Sequence, residues 1–439
     1  MKFARLPILM MILSSSFLYA LEIEKLTTLS KQYYGANPEA YRKSMEQMKI
    51  PSIPGSDIND PLLRMAFYRH QSNEYLKSLG ENAELCMTTL RGHCYWVLSV
   101  TVLNDGRLVS GGSCGIIKVW NLNKPEGKRC EATLTHDGGV NCLTILPDGR
   151  LVSGSDDLTL KVWDLSKPVM EQRVSTLGDH KGSVESVTVL SDGRLASGSG
   201  SGFDFDFGFG EGAINVWDLS QLKGDERTIT GDEFPQSHQG PVHSVEQLHD
   251  GRLVSASFDK TIKVWSVNNV NNFDIVSDKR HSVGEEQLDK TPAGEKMPHS
   301  TPKCSIRYQE TLTGHKGCVT SLLVLPDGRL VSGSYDKTIK IWDLSKPQGH
   351  RCVAILTGHS GEVLALTLLP DGRLVSGSAD NTIKVWDLSK PEGERCVGTL
   401  VGHTSSVTSV TAMSDGRLVS GSWDRTIKVW NLSGTKEGG

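Results

Sequence analysis

With 439 residues the chain is long enough for one large domain and additional segments. Lys and Arg together number 47 against 51 Asp and Glu, a net charge of −4 with no basic block, which argues against a nucleic-acid-binding surface. The 45 glycines, and the scarcity of helical periodicity after residue 83, point to many short strands joined by tight turns.

The chain opens with Lys2 and Arg5 around the start of an apolar run, LPILMMILSSSFLYA, that ends at Ala20. A charged start, an apolar centre and a small residue at the end read as a signal peptide over residues 1–20, and the run is short for a membrane span. Leu18 stands where a small residue is wanted for cleavage, so an uncleaved anchor is the alternative. The expectation is an exported protein, periplasmic or secreted.

Residues 21–83 read as a helical segment. Glu24–Tyr34 is the first helix. Pro38–Met48 follows, with Asn37 as N-cap and Pro38 in the first turn. Pro61–Leu79 is bounded by Asp60 and Gly80. Pro51 and Pro54-Gly55 break the second helix from the third.

From residue 84 the chain repeats itself seven times. One copy reads GHKGCVTSLLVLPDGRLVSGSYDKTIKIWDLSKP, from Gly314. Each copy has a His near its start and a Trp near its end. The pair is 27 positions apart in His93–Trp120, His136–Trp163, His238–Trp265, His315–Trp342, His359–Trp386 and His403–Trp430, and ten further apart in His180–Trp217. A GH…WD signature at this period means a β-propeller with one four-stranded blade per repeat. Within a copy, VTSLLVL is the first strand, PDGR a tight turn, LVSGS the second strand, TIKIWDL the third and RCVAILTGH the fourth. The seventh copy ends at its third strand, while LCMTTLRGH (Leu85–His93) is a spare fourth strand at the other end. The expected fold is therefore an all-β, seven-bladed propeller over residues 84–433, closed by an N-terminal strand that completes the last blade. Insertions interrupt it at 201–212 and 268–302, the second polar enough to be disordered, and residues 434–439 form a disordered tail.

These repeats resemble the WD40 family over about residues 84–433. The resemblance implies a structural tetrad in each blade, made of the GH His, a second-strand Ser, the Asp of the following turn and the Trp. The matching residues are His136, Ser153, Asp157 and Trp163; His238, Ser255, Asp259 and Trp265; His315, Ser332, Asp336 and Trp342; His359, Ser376, Asp380 and Trp386; and His403, Ser420, Asp424 and Trp430. Blade 1 departs, with Cys114 where the Asp belongs, and in blade 3 the insertion replaces the turn.

Ser, His and Asp in one repeat could form a hydrolase triad, but a trio that recurs in five blades reads as structure. The DGR arginines, Arg107, Arg150, Arg194, Arg252, Arg329, Arg373 and Arg417, could bind anions; the plainer reading pairs each with the Asp after the Trp, as Arg329 with Asp343. Asp204 and Asp206 lack the spacing of a calcium loop, and Phe203, Phe205, Phe207 and Phe209 around them suit a loop that docks on a partner. Cys86, Cys130, Cys352 and Cys396 share one position of the repeat. On separate blades they are too far apart to bridge, and they read as small buried hydrophobes. Free thiols suit a reducing compartment, so delivery into another cell's cytosol is the alternative to simple export.

The resemblance also implies that partners dock on the face carrying the GH turns and the turns between second and third strands. The variable positions there are the residue before the turn Asp and those three and five after the His. They give Trp96, Leu98, Asn141, Asp156, Glu185, His243, Phe258, Tyr335, Leu364 and Trp423 as partner-binding residues, with Ala379, Thr320 and Thr408 at equivalent positions. The expected function is a monomeric scaffold that binds a protein or peptide on this face. No nucleic acid, cofactor, metal or catalysis is expected, and no membrane contact beyond the signal segment. Two alternatives are a propeller enzyme with its site at the mouth of the central channel and an architectural surface protein.

Overall fold

The computed structural model describes residues 85–168, 171–178, 180–200, 203–204, 208–209, 212–219, 238–268 and 305–432. The segments expected at 1–20, 21–83 and 434–439 lie outside the described residues, as do the insertion at 268–302 beyond Asn268 and most of that at 201–212. Every described residue belongs to the unit Glu84–Gly439.

Seven antiparallel blade sheets follow one another along the chain. In the fifth, Val319–Val324, Leu330–Ser334, Ile339–Trp342 and Cys352–Leu356 are hydrogen-bonded in that order. Six blades have four strands; the third, Ser183–Val189, Leu195–Gly200 and Gly212–Trp217, has three among the described residues. The second strand is buried along its whole length, which is why it is written in small and apolar residues, LVSGS. The DGR turn reverses the first strand into the second, and Gly328 takes the positive φ of +85° that the turn demands.

The core lies between blades. Seven hydrophobic clusters each join two neighbouring blades, so every blade is buried on both faces. Glycine in the second strand allows the close approach: a Cβ on Gly333 would lie 2.8 Å from Val363 Cγ1 of the next blade. Blade 7 consists of Val407–Ala412, Leu418–Ser422 and Thr426–Trp430, and its fourth strand is Cys86–Arg91 from the far end of the sequence. Leu90 pairs with Ile427, and both are buried with Val97, Val100, Trp120 and Met413 at the seam between blades 7 and 1. Joining first and last blades in this way leaves the sheet ring without an open edge there.

Two expectations are corrected. Cys130, Cys352 and Cys396 are exposed and Cys86 is half-buried, because they begin the outermost strand of their blades, opposite the Trp. The DGR arginines pair within their own turn: Arg329 Nε donates to Asp327 Oδ2 at 2.8 Å, and the six other arginines do the same with the Asp two residues before them. The tight turn brings that carboxylate nearer than the one after the Trp.

Candidate functional site

The end of the propeller that carries the GH turns is held by repeated struts. In blades 2, 4, 5, 6 and 7, His Nδ1 lies 2.7–2.8 Å from the turn Asp and His Nε2 lies 2.7 Å from the Ser. The Trp indole donates to the same Ser oxygen at 2.7–2.8 Å. The carboxylate can only accept, so Nδ1 carries the proton, the Ser hydroxyl donates to Nε2, and the Ser oxygen accepts from Trp. Each Asp also accepts from the backbone N–H after the His, as Asp336 does from Lys316 at 2.9 Å. The strut thereby ties the GH turn to the second-to-third-strand turn. Burial alone would raise the Asp336 carboxyl; hydrogen bonds from Thr338, Lys316 and His315 outweigh it and hold the pKa at about 2.

Blades 1 and 3 lack the Asp. His93 still meets Ser110 at 2.7 Å and Trp120 donates to that Ser, but His93 Nδ1 is buried without a hydrogen-bond partner. His180 keeps Ser197 at 2.8 Å and turns its Nδ1 to the Leu158 carbonyl at 3.3 Å.

Two backbone devices place the variable side chains on this rim. First, the residue before the turn Asp donates its N–H to the carbonyl of the residue three after the His. This bond joins Asp156 to Gly139, Phe258 to Pro241, Tyr335 to Cys318, Ala379 to Glu362 and Trp423 to Ser406; in blade 1, Ser113 donates to Trp96 in the same way. Second, every first strand shifts register at the residue five after the His. Leu98, Asn141, Glu185, His243, Thr320, Leu364 and Thr408 are all the extra residue of a β-bulge. A bulge takes its residue out of the ladder and re-aims the side chain. In blades 5 and 7 it reaches across the seam: Thr320 donates to the Val363 carbonyl and Thr408 to the Val97 carbonyl, both at 2.6 Å.

The expected docking residues fall into groups. Trp96 and Trp423 stack across the closing seam, with ring centroids 4.8 Å apart and planes at 23°, and both are exposed. His243 and Phe258 lie 6.3 Å apart in blade 4; His243 Nε2 is buried without a hydrogen-bond partner, and desolvation by burial lowers the imidazole pKa to about 4. Asn141 is committed to structure, donating to Asp156 at 2.7 Å and to the Val184 carbonyl at 3.3 Å. Glu185, half-buried, is pushed up to about 7 by burial and then by the charge of Asp156. Tyr335 is exposed, yet its phenol is raised by desolvation and then by the charges of Cys318, Glu362 and Glu185. Leu98 and Leu364 are half-buried at the bulges of blades 1 and 6. Glu362 was not singled out from the sequence, although it stands three after His359, a position already marked as variable. Of the Phe insertion, 203–204 and 208–209 pair as a short antiparallel ladder.

The comparisons with known proteins agree with this architecture. A family model described as WD domain, G-beta repeat matches residues 84–121, 128–164, 232–266, 306–343, 350–387 and 394–431, just over half of the chain. Ribosome biogenesis protein YTM1 of Saccharomyces cerevisiae is 27% identical over 135 residues, 30% of this chain and 24% of that protein. The ribosome biogenesis protein WDR12 homolog of Drosophila mojavensis is 27% identical over 166 residues, 31% of this chain and 38% of that one. The chain thus spans about a quarter to two fifths of the length of these curated relatives. The crystal structure of the WD40 β-propeller domain of Doa1 superposes with a TM-score of 0.58 at 22% identity, covering 80% of this chain and 97% of that one. One expectation falls here. Export, whether to the periplasm, the medium or another cell, is not retained, because ribosome biogenesis, for which these relatives are named, takes place inside the cell that makes the protein.

Proposed function

Because the chain belongs to the WD40 family, its repeat matching just over half of it, we propose that it is a protein-interaction scaffold that docks a partner on the face carrying the GH turns. The observation that carries this is the exposed aromatic rim. Trp96, Tyr335 and Trp423 keep 47%, 44% and 39% of their surface exposed although bulges and turn bonds hold their backbones in place. Rigid, exposed aromatics are what interfaces use as anchors. Asp156 and Glu362 lie among them beside Lys260, Lys337 and Arg425 of the same turns, so the rim offers aromatic anchors flanked by charges of both signs.

Binding is favoured over catalysis. Ser153, Ser255, Ser332, Ser376 and Ser420, the hydroxyls of the recurring Ser-His-Asp sets, are fully buried and bonded to Trp, out of a substrate's reach. The WD40 relatives support a protein as the class of partner. The test is partner capture by the intact chain. Tyr335→Ala with Trp423→Ala should abolish it, at about 2 kcal/mol or more for each anchor. Arg329→Ala with Arg373→Ala, at the opposite end of the strands, should leave it nearly unchanged. The reverse pattern would place docking on the other face.

A further inference from the structure

Blade 1 has lost the carboxylate that clamps its two rim turns, and the residues at both ends of the missing clamp are cysteines. In the five complete blades the turn Asp accepts from the backbone N–H of the residue after the His, at 2.9–3.1 Å. In blade 1 the residue after the His is Cys94 and the residue in the Asp position is Cys114. Their sulfurs are 3.4 Å apart with both thiols free, and Cys94 is exposed. A disulfide holds its sulfurs at about 2.05 Å, and these two sulfurs are already in contact.

We propose that Cys94 and Cys114 form a reversible dithiol–disulfide pair that, when oxidised, clamps the two rim turns of blade 1 in place of the missing Asp. The other described cysteines offer no such partner: Cys142 and Cys318 are buried, and Cys86, Cys130, Cys352 and Cys396 sit on outer strands of four different blades. Among the described residues no group of three His, Cys, Asp or Glu side chains has metal-holding geometry, so His93 does not turn the pair into a metal site. His93 Nδ1, left unpartnered, marks how incomplete the clamp is while the thiols are reduced.

The oxidant is a low-molecular-weight disulfide. The exposed Cys94 thiolate attacks one of its sulfurs, forming a mixed disulfide and releasing one small thiolate. Cys114 then attacks the Cys94 sulfur, forming the internal bond and releasing the second small thiolate. The two cysteine protons end on the two released thiols, and the two electrons lost by the pair reduce the small disulfide. The closed pair spans 20 positions and holds the turn that leads into Trp96.

The test equilibrates the full chain with oxidised glutathione, blocks free thiols and digests with trypsin without reduction. Cleavage after Arg91, Arg107 and Lys118 puts the two cysteines on separate peptides, 92–107 and 108–118. The proposal expects these peptides joined to each other, and a melting temperature a few degrees above that of the reduced chain. It also expects Cys114→Asp to lose the redox dependence while melting no lower than reduced wild type. Both cysteines recovered blocked, glutathione retained on Cys94, or an oxidised chain that melts no higher than the reduced one would each overturn it. The peptide mapping on the wild-type chain decides even if the variant does not fold.

Discussion

Replacing Asp336 by Ala isolates what one strut contributes. The carboxylate accepts four hydrogen bonds: from His315 Nδ1 at 2.8 Å, the Lys316 amide at 2.9 Å, and the Thr338 amide and hydroxyl at 3.0 and 2.6 Å. Lys316 is exposed, so water can replace the carboxylate there. The His315 side chain is only 1% exposed, and its Nδ1–H is left buried without an acceptor. Orphaning that donor and losing a charged acceptor should cost about 2–3 kcal/mol. Asp336→Asn keeps an acceptor for Thr338 and should cost less. The pH dependence has a definite sign. The folded pKa lies below the unfolded value of about 3.9, so the carboxylate's contribution is complete above about pH 4 and is lost as pH falls toward about 2. Urea titrations of both chains at neutral and acid pH measure the gap, which should be full at pH 7 and shrink on acidification. An unchanged midpoint at pH 7, or a gap that widens in acid, would refute the strut as described.

Three further outcomes follow from particular residues. Leu90→Ala empties a buried site at the closing seam and should cost about 2–5 kcal/mol in thermal or urea unfolding; a loss no larger than that of Met87→Ala, on the exposed side of the same strand, would mean that the strand does not hold the ring. Leu158 is a non-glycine residue at φ +67° with 42% of its surface exposed, so Leu158→Gly should stabilise by about 0.5–1 kcal/mol, and destabilisation would show that the Leu side chain is needed. Glu185 has a raised carboxyl, so the folded state keeps its proton between about pH 4 and 7 while the unfolded state has lost it; stability contributed by this group therefore falls as pH rises across that window, and Glu185→Gln should remove the slope in pH-dependent melts. The same slope in wild type and variant would count against the burial of that carboxyl.

What was legible in the sequence is what the repeat enforces. Fixed His-to-Trp spacing gave the blades, and one spare strand before His93 matched one missing after Trp430, so the closing partner of Thr426–Trp430 could be named from residues alone. The bulges were not legible. Nothing in Val-x-Ser marks the middle residue as extra, yet that register shift is what makes the position five after the His a rim position. The Trp96–Trp423 stack was hidden for another reason: the residues are far apart in sequence and become neighbours only when the ring closes. The exposure of Cys130, Cys352 and Cys396 was misjudged because cysteines too far apart to bridge were read as small buried hydrophobes, whereas these begin the outermost strand of their blades, which has no further strand to cover it. Arg329 was misassigned because a cross-strand pair was weighed ahead of a carboxylate two residues away inside a tight turn.

If the aromatic rim is the docking face, a bound partner must cover it. Hydrogen exchange of the full chain, alone and saturated with its captured partner, tests it most directly. Exchange should slow at the rim amides, those of Tyr335, Trp423 and Phe258 and of the GH turns beside them, with the DGR turns around Gly106, Gly328 and Gly372 unchanged. Protection confined to the DGR turns, with the rim unaffected, would contradict it.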